Sequence, residues 1–192
     1  MRICVYGAAS FSIDDEYIKR VEELGEQMTK RGHSLVFGGG ANGLMGAAAR
    51  GVKREGGYVL GVIPTFFDDE NIEGVYPECD KLIETKTMRE RKQIMEDNSD
   101  AFIVAPGGVG TFEEYFEILT SKQLCRHNKP IVLFNVNNYY SELNVMMQAA
   151  VDKKFVRADC LKLYKVTDNL EELFAYLEGP QPIRTVKDLK EG

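Results

Sequence analysis

Ala101-Phe102-Ile103-Val104-Ala105-Pro106-Gly107-Gly108-Val109-Gly110-Thr111-Phe112-Glu113-Glu114 joins five apolar residues to a glycine turn and then to the start of an amphipathic segment. An apolar run of this length, closed by Pro-Gly, reads as a strand buried on both faces, the kind that fills a parallel sheet. From Thr111 to about Cys125, Phe112, Tyr115, Phe116, Ile118 and Leu119 fall on one arc at about 100° per residue, which predicts a helix.

The same alternation repeats outward from this unit. On the amino-terminal side, Ile3 to Tyr6 reads as a strand, about Asp14 to Arg31 as a polar helix, and Ser34 to Phe37 as a strand. A small-residue helix from about Gly43 to Glu55 leads to a strand over Tyr58 to Ile63. Leu82-Ile83 makes one further short strand, and about Met88 to Asn98 a helix. On the carboxyl-terminal side come a strand over Ile131 to Phe134, a helix near Tyr140 to Lys153, a strand near Leu163 to Val166 and a helix near Leu170 to Leu177. This order predicts an α/β fold, Rossmann-like and doubly wound, with a mostly parallel sheet and helices on both faces. One domain is expected over residues 1–179, with a charged tail over 180–192 that Pro180 and Pro182 introduce.

Composition narrows the function classes. The 192 residues are 44% apolar and 28% charged, ordinary for a soluble globular protein. Lys and Arg total 24 against 30 Asp and Glu, a net charge of −6, so no basic field exists to hold a nucleic-acid backbone. The apolar runs fall far short of the roughly 20 residues that cross a bilayer. The amino terminus passes from Ile3-Cys4-Val5-Tyr6 into Ser12-Ile13-Asp14-Asp15-Glu16 without the apolar core of a signal peptide. The expected location is the cytoplasm, with neither nucleic acid nor membrane as partner. Cys4, Cys79, Cys125 and Cys160 form no Cys-x-x-Cys pair and the only histidines are His33 and His127, so no metal site is expected. No Gly-x-Ser-x-Gly elbow occurs, and two distant histidines disfavour a serine or cysteine triad.

Of the 18 glycines, ten lie between Gly32 and Gly61, and Gly107, Gly108 and Gly110 form a second cluster. Each cluster follows a strand and precedes a helix, which places it at the carboxyl edge of the sheet, where ligands bind. Two such loops suggest a ligand with phosphate; Gly39, Gly40, Gly107, Gly108, Val109, Gly110 and Thr111 are its candidate contacts. The first loop, Gly38-Gly39-Gly40-Ala41-Asn42-Gly43, contains Gly-x-Gly-x-x-Gly, but the next strand ends at Ile63-Pro64 with no carboxylate until Asp68, so the dinucleotide fingerprint is incomplete. Gly46 and Gly51 read as packing glycines that bring their helix close to the sheet. The second loop opens a helix whose N–H groups and dipole would converge on an anion. For Thr111-Phe112-Glu113-Glu114 two readings stand: a capping box with Thr111 as N-cap, or a functional turn with Glu114 at the border of the apolar arc, half-buried beside a ligand. Glu113 and Glu117 fall on the solvated side.

In Thr87-Met88-Arg89-Glu90-Arg91-Lys92-Gln93-Ile94-Met95, Met88 and Met95 share one stripe flanked by Arg91 and Lys92. The stripe reads as core with snorkelling cations, or as a device that holds Arg91 and Lys92 at the sheet edge to meet a phosphate or carboxylate.

Taken together, Gly39 to Gly46, Met88 to Lys92 and Pro106 to Glu114 resemble the LONELY GUY family, cytokinin-activating phosphoribohydrolases long labelled as lysine decarboxylases. The resemblance runs from about Ile3 to Leu177. It implies hydrolysis of the N-glycosidic bond of an adenosine 5′-monophosphate, often N6-modified, to free base and ribose 5-phosphate, by a Rossmann-like homodimer that needs no cofactor. By position it implies Arg91 and Glu114 as the catalytic pair. Lys92, Gly108 to Thr111 and Thr120 would contact the nucleotide, as would Glu113, and Glu70 corresponds to an acidic substrate contact. The chain departs from the family at Gly7-Ala8-Ala9-Ser10, where a Cys-Gly-Ser-Ser-like turn is usual, and at Thr120-Ser121-Lys122-Gln123, where Thr-Trp-Ala-Gln is common. The competing reading from another class is a nucleotide or molybdenum-cofactor carrier of the same fold without turnover. A pyridoxal-phosphate lysine, which decarboxylation would need, finds no supporting context around any Lys.

Overall fold

The computed structural model describes residues 1–69, 74–182 and 185. Its centre is a seven-stranded sheet in the order β4-β3-β2-β1-β5-β6-β7. The strands are β1 (Arg2–Tyr6), β2 (Ser34–Phe37), β3 (Val59–Pro64), β4 (Lys81–Thr85), β5 (Ala101–Val104), β6 (Ile131–Phe134) and β7 (Lys165–Thr167). Every pairing is parallel, for instance Ile3 with Leu35 on one side of β1 and Cys4 with Phe102 on the other. Strand order runs outward in both directions from the β1–β5 pair, which makes the carboxyl ends of these two strands the topological switch point.

Side chains alternate across a strand, and β1, β5 and β6 use both directions for core. Ile3, Val5, Ile103 and Phe134 enter one buried layer with residues of α1 (Asp15–Lys30), α2 (Gly43–Arg54) and α7 (Leu170–Glu178). Cys4, Tyr6, Phe102 and Leu133 enter the other, beneath α4 (Met88–Asp97), α5 (Val109–Gln123) and α6 (Ser141–Asp152). Helices therefore cover both faces, as the alternation of elements predicts.

The differences from the sequence reading are local. Leu82-Ile83 lie within a five-residue edge strand that pairs with β3 from Leu60 to Pro64. A short helix, α3 (Thr65–Asp69), follows β3 directly. The last strand begins at Lys165 rather than Leu163, because Leu163 and Tyr164 are buried in the second layer after a 3-10 turn over Ala158–Lys162. Gly51 brings α2 close to α1 and not to the sheet: a Cβ there would stand 2.0 Å from the Glu22 carbonyl oxygen, and one on Gly25 of α1 would stand 2.4 Å from that of Ala48. Gly46 makes room for its own loop, since its Cβ would meet the Ala41 carbonyl at 1.8 Å. No helix among the described residues is long and apolar enough to cross a membrane.

Candidate active site

At the switch point the loop after β1 and the loop after β5 meet, with the Ala8 N–H donating to the Pro106 carbonyl at 3.1 Å. α5 opens at this edge. Its N-cap is Gly108, extended at φ −94° and ψ −154° with no side-chain cap, so the helix starts two residues earlier than the sequence reading. Thr111 is consequently the third helical residue, buried, and a Cβ on Gly107 would meet its Oγ1 at 2.1 Å. The capping box does not form, and Glu114 is released from that role. The N–H groups of a first turn lack helical acceptors, and here that turn begins with Gly108, Val109 and Gly110, all exposed.

Beside this turn lies a cavity of about 460 Å³, within the range of small-ligand pockets. Asn42, Arg91, Thr111, Glu113 and Glu114 supply its polar groups, Met45, Phe67 and Met88 an apolar wall, and the β1 loop through Ser10 and Phe11 its rim. Glu114 is half-buried. Burial pushes its carboxyl up to about 7, the positive charge of Arg91 pulls in the opposite direction, and Glu113 adds to the rise. Arg91, 4% exposed, donates from Nε to the Val62 carbonyl at 3.1 Å and from Nη2 to the Gly38 carbonyl at 3.0 Å. The Phe67 ring lies 5.4 Å from its guanidinium carbon. Among the described residues no carboxylate pairs with Arg91, so it shares a cavity with Glu114 without a hydrogen bond to it.

The other expected contacts divide. Gly108, Gly110, Thr111 and Glu113 line this cavity with Arg91 and Glu114. Gly107 lines a neighbouring cavity of about 340 Å³, bounded by Tyr17 and Tyr139, that shares Ala8 and Gly108 with the first. Val109 projects outward at 85% exposed. Lys92 turns away to pair with Glu113 and, at 2.6 Å, with Glu117. Burial would lower its ammonium, but these two carboxylates outweigh that and hold it above the ordinary lysine range. Gly39 and Gly40 do not line the cavity. Gly39, left-handed at φ +81°, accepts the Tyr76 N–H at 2.8 Å, and Gly40 bridges to Val75, so this pair secures the segment around Gly74. Thr120 is exposed, six positions beyond Glu114 toward the far end of α5. Glu70 lies outside the described residues.

Sequence reasoning missed the apolar wall and the seat of Arg91. The Met88–Met95 stripe carried half of the signal: Met95 is core, whereas Met88 is 38% exposed and faces the cavity. On the apolar arc of α5 Tyr115 is fully buried, and so is Tyr140 just before α6.

Residues 45–177 match the family model described as "Possible lysine decarboxylase". A cytokinin riboside 5′-monophosphate phosphoribohydrolase of Arabidopsis thaliana is 37% identical over 183 residues, which are 95% of this chain and 79% of that protein. The enzyme of that name from Mycobacterium tuberculosis is 39% identical over 175 residues, 88% of this chain and 89% of its own. Among solved structures, the molybdenum cofactor binding protein of Rippkaea orientalis superposes with a TM-score of 0.70 at 22% identity, covering 92% of this chain and 94% of that one, a likeness that shows the shared fold alone. A family match across most of the chain and relatives this similar over nearly its full length lead to one assignment: the chain belongs to the LONELY GUY family, whose sequence model carries the decarboxylase description.

Proposed function

We propose that this protein is a nucleoside 5′-monophosphate phosphoribohydrolase acting on adenosine 5′-monophosphates, N6-modified or plain. The observation that carries the reading is Glu114: a carboxylate titrating near neutrality, in one cavity with Arg91 and with the glycine turn of α5. The exposed first turn receives the 5′-phosphate through its N–H groups and dipole. Binding energy spent there positions the ribose over Glu114. As the C1′–N bond to the base lengthens, the sugar gains oxocarbenium character, which an ionised Glu114 stabilises while accepting a proton from the attacking water. The water oxygen ends on C1′ as a hydroxyl, the base leaves with the bonding pair, and the proton accepted by Glu114 passes on to the departing base, which returns Glu114 to its ionised form. The charge of Arg91 favours the ionised form of Glu114.

A carrier without turnover needs the glycine turn but has no use for a half-buried carboxylate that costs stability. Incubation with AMP and with isopentenyladenosine monophosphate, followed by chromatography for free base, tests the choice. Free base that appears with wild-type protein and not with Glu114→Gln supports hydrolysis; tight nucleotide binding with no base supports the carrier.

The protein acts as a homodimer in this reading, as the family resemblance implies, with the exposed Val145, Met146 and Phe155 on and just after α6 as apolar surface that a second copy would cover. The cytoplasm suits its four free cysteines.

A further inference from the structure

The guanidinium of Arg91 is a buried cation that meets two neutral carbonyls, a thioether and a ring. Gly38, the residue just after β2, and Val62, within β3, supply the carbonyls, and Met88 Sδ lies 3.9 Å from Nη1. Neutral partners hold a charge in place without cancelling it, so the field of Arg91 remains available to the cavity.

Gly38 contributes more than its carbonyl. Its backbone is not left-handed, so conformation does not demand glycine. Space does: a Cβ there would stand 1.9 Å from Arg91 Nη2, 3.0 Å from Cζ and 3.1 Å from Met45 Sδ. All three atoms are the ends of flexible side chains and none is backbone, so a methyl group at this position moves the guanidinium and leaves the sheet alone. The Phe67 ring, which lines the same cavity, lies against the same guanidinium.

We propose that Gly38 is a positioning residue for Arg91, holding the guanidinium in the cavity by a carbonyl that accepts its hydrogen bond and by the missing side chain whose space it fills. The kinetic consequence rests on the phosphoribohydrolase reading; the seat itself does not. Glu114 reports on the seat, because the charges around it are Arg91 and Lys92 on α4 and Glu113 and Glu117 on its own helix, with Cys4 and Tyr6 of β1 beneath. A guanidinium that retreats leaves the carboxyl harder to ionise.

The test is a double-mutant cycle of Gly38→Ala and Arg91→Met, read by carbon-13 NMR titration of the Glu114 carboxyl, by kcat for base release across pH, and by thermal melting. Gly38→Ala is expected to melt within a few degrees of wild type, to lower kcat at least tenfold, and to raise the Glu114 midpoint by about half a pH unit or more, toward the value in Arg91→Met. In the Arg91→Met background the same substitution should change neither the midpoint nor kcat further. Additive effects in the two backgrounds, an unmoved midpoint, or a Gly38→Ala protein that fails to fold would each overturn the proposal. If wild type releases no base from any nucleotide, the functional reading falls, and the NMR cycle still decides whether Gly38 seats Arg91.

Discussion

Lys92 reaches from α4 to Glu117 on α5 in an ion pair of 2.6 Å, and it also pairs with Glu113 one turn earlier. A single ammonium thus offsets part of the charge of two carboxylates close to Glu114 on its helix. Removing it does two things in the same direction: it takes away a charge that favours ionised Glu114, and it uncovers two that oppose it.

Activity that requires ionised Glu114 should rise with pH through a midpoint near 7. Lys92→Met should move that midpoint upward while changing the KM for AMP less than threefold, because Lys92 lies outside the cavity. A KM rise of tenfold with an unmoved midpoint would instead make Lys92 a phosphate contact.

Glu114→Gln keeps size and hydrogen-bonding capacity but removes the charge, so turnover should fall 100-fold or more, on the order expected for lost electrostatic or acid–base help. Glu113→Gln, at an exposed position on the edge of the cavity, should lower the pH midpoint and alter turnover little above it. Base release and melting temperature measured for both variants together separate the two roles.

Stability should show the cost of Glu114. Its carboxyl titrates near 4.5 when unfolded and at about 7 when folded, so between these values the native state holds a proton that the unfolded state has lost, and stability falls as pH rises. Glu114→Gln escapes this penalty. Its melting temperature should pull ahead of wild type between pH 4.5 and 8, by an amount worth no more than about 3 kcal/mol.

Phosphate recognition predicts that adenosine competes at least tenfold less well than AMP, roughly 1.4 kcal/mol. Equal inhibition by nucleoside and nucleotide in a competition assay would remove the α5 turn from the site.

The α1–α2 contact predicts that Gly51→Ala destabilises by about 1 to 3 kcal/mol, since the added methyl meets the Glu22 carbonyl, which is backbone and cannot swing aside. Denaturant unfolding measures it. A neutral result would show that the two helices slide apart freely.

Local pattern alone determined the order of strands and helices and the parallel sheet, because five-residue apolar runs and arcs at helical spacing are properties of neighbouring residues. It also singled out the α5 turn and Glu114, whose position on the helix follows from counting residues. What only the tertiary structure decided depends on residues far apart in the chain. Gly39 and Gly40 do not line the cavity, and their backbones pair with Tyr76 and Val75. Lys92 does not line the cavity, and its ammonium reaches Glu113 and Glu117 on α5. Arg91 and Gly38 meet across 53 positions of sequence, and the rise of the Glu114 titration toward neutrality comes from the burial that this folding imposes. Periodicity reports which face of an element is buried; which partner arrives at that face, and how much water it displaces, is a matter of packing between elements.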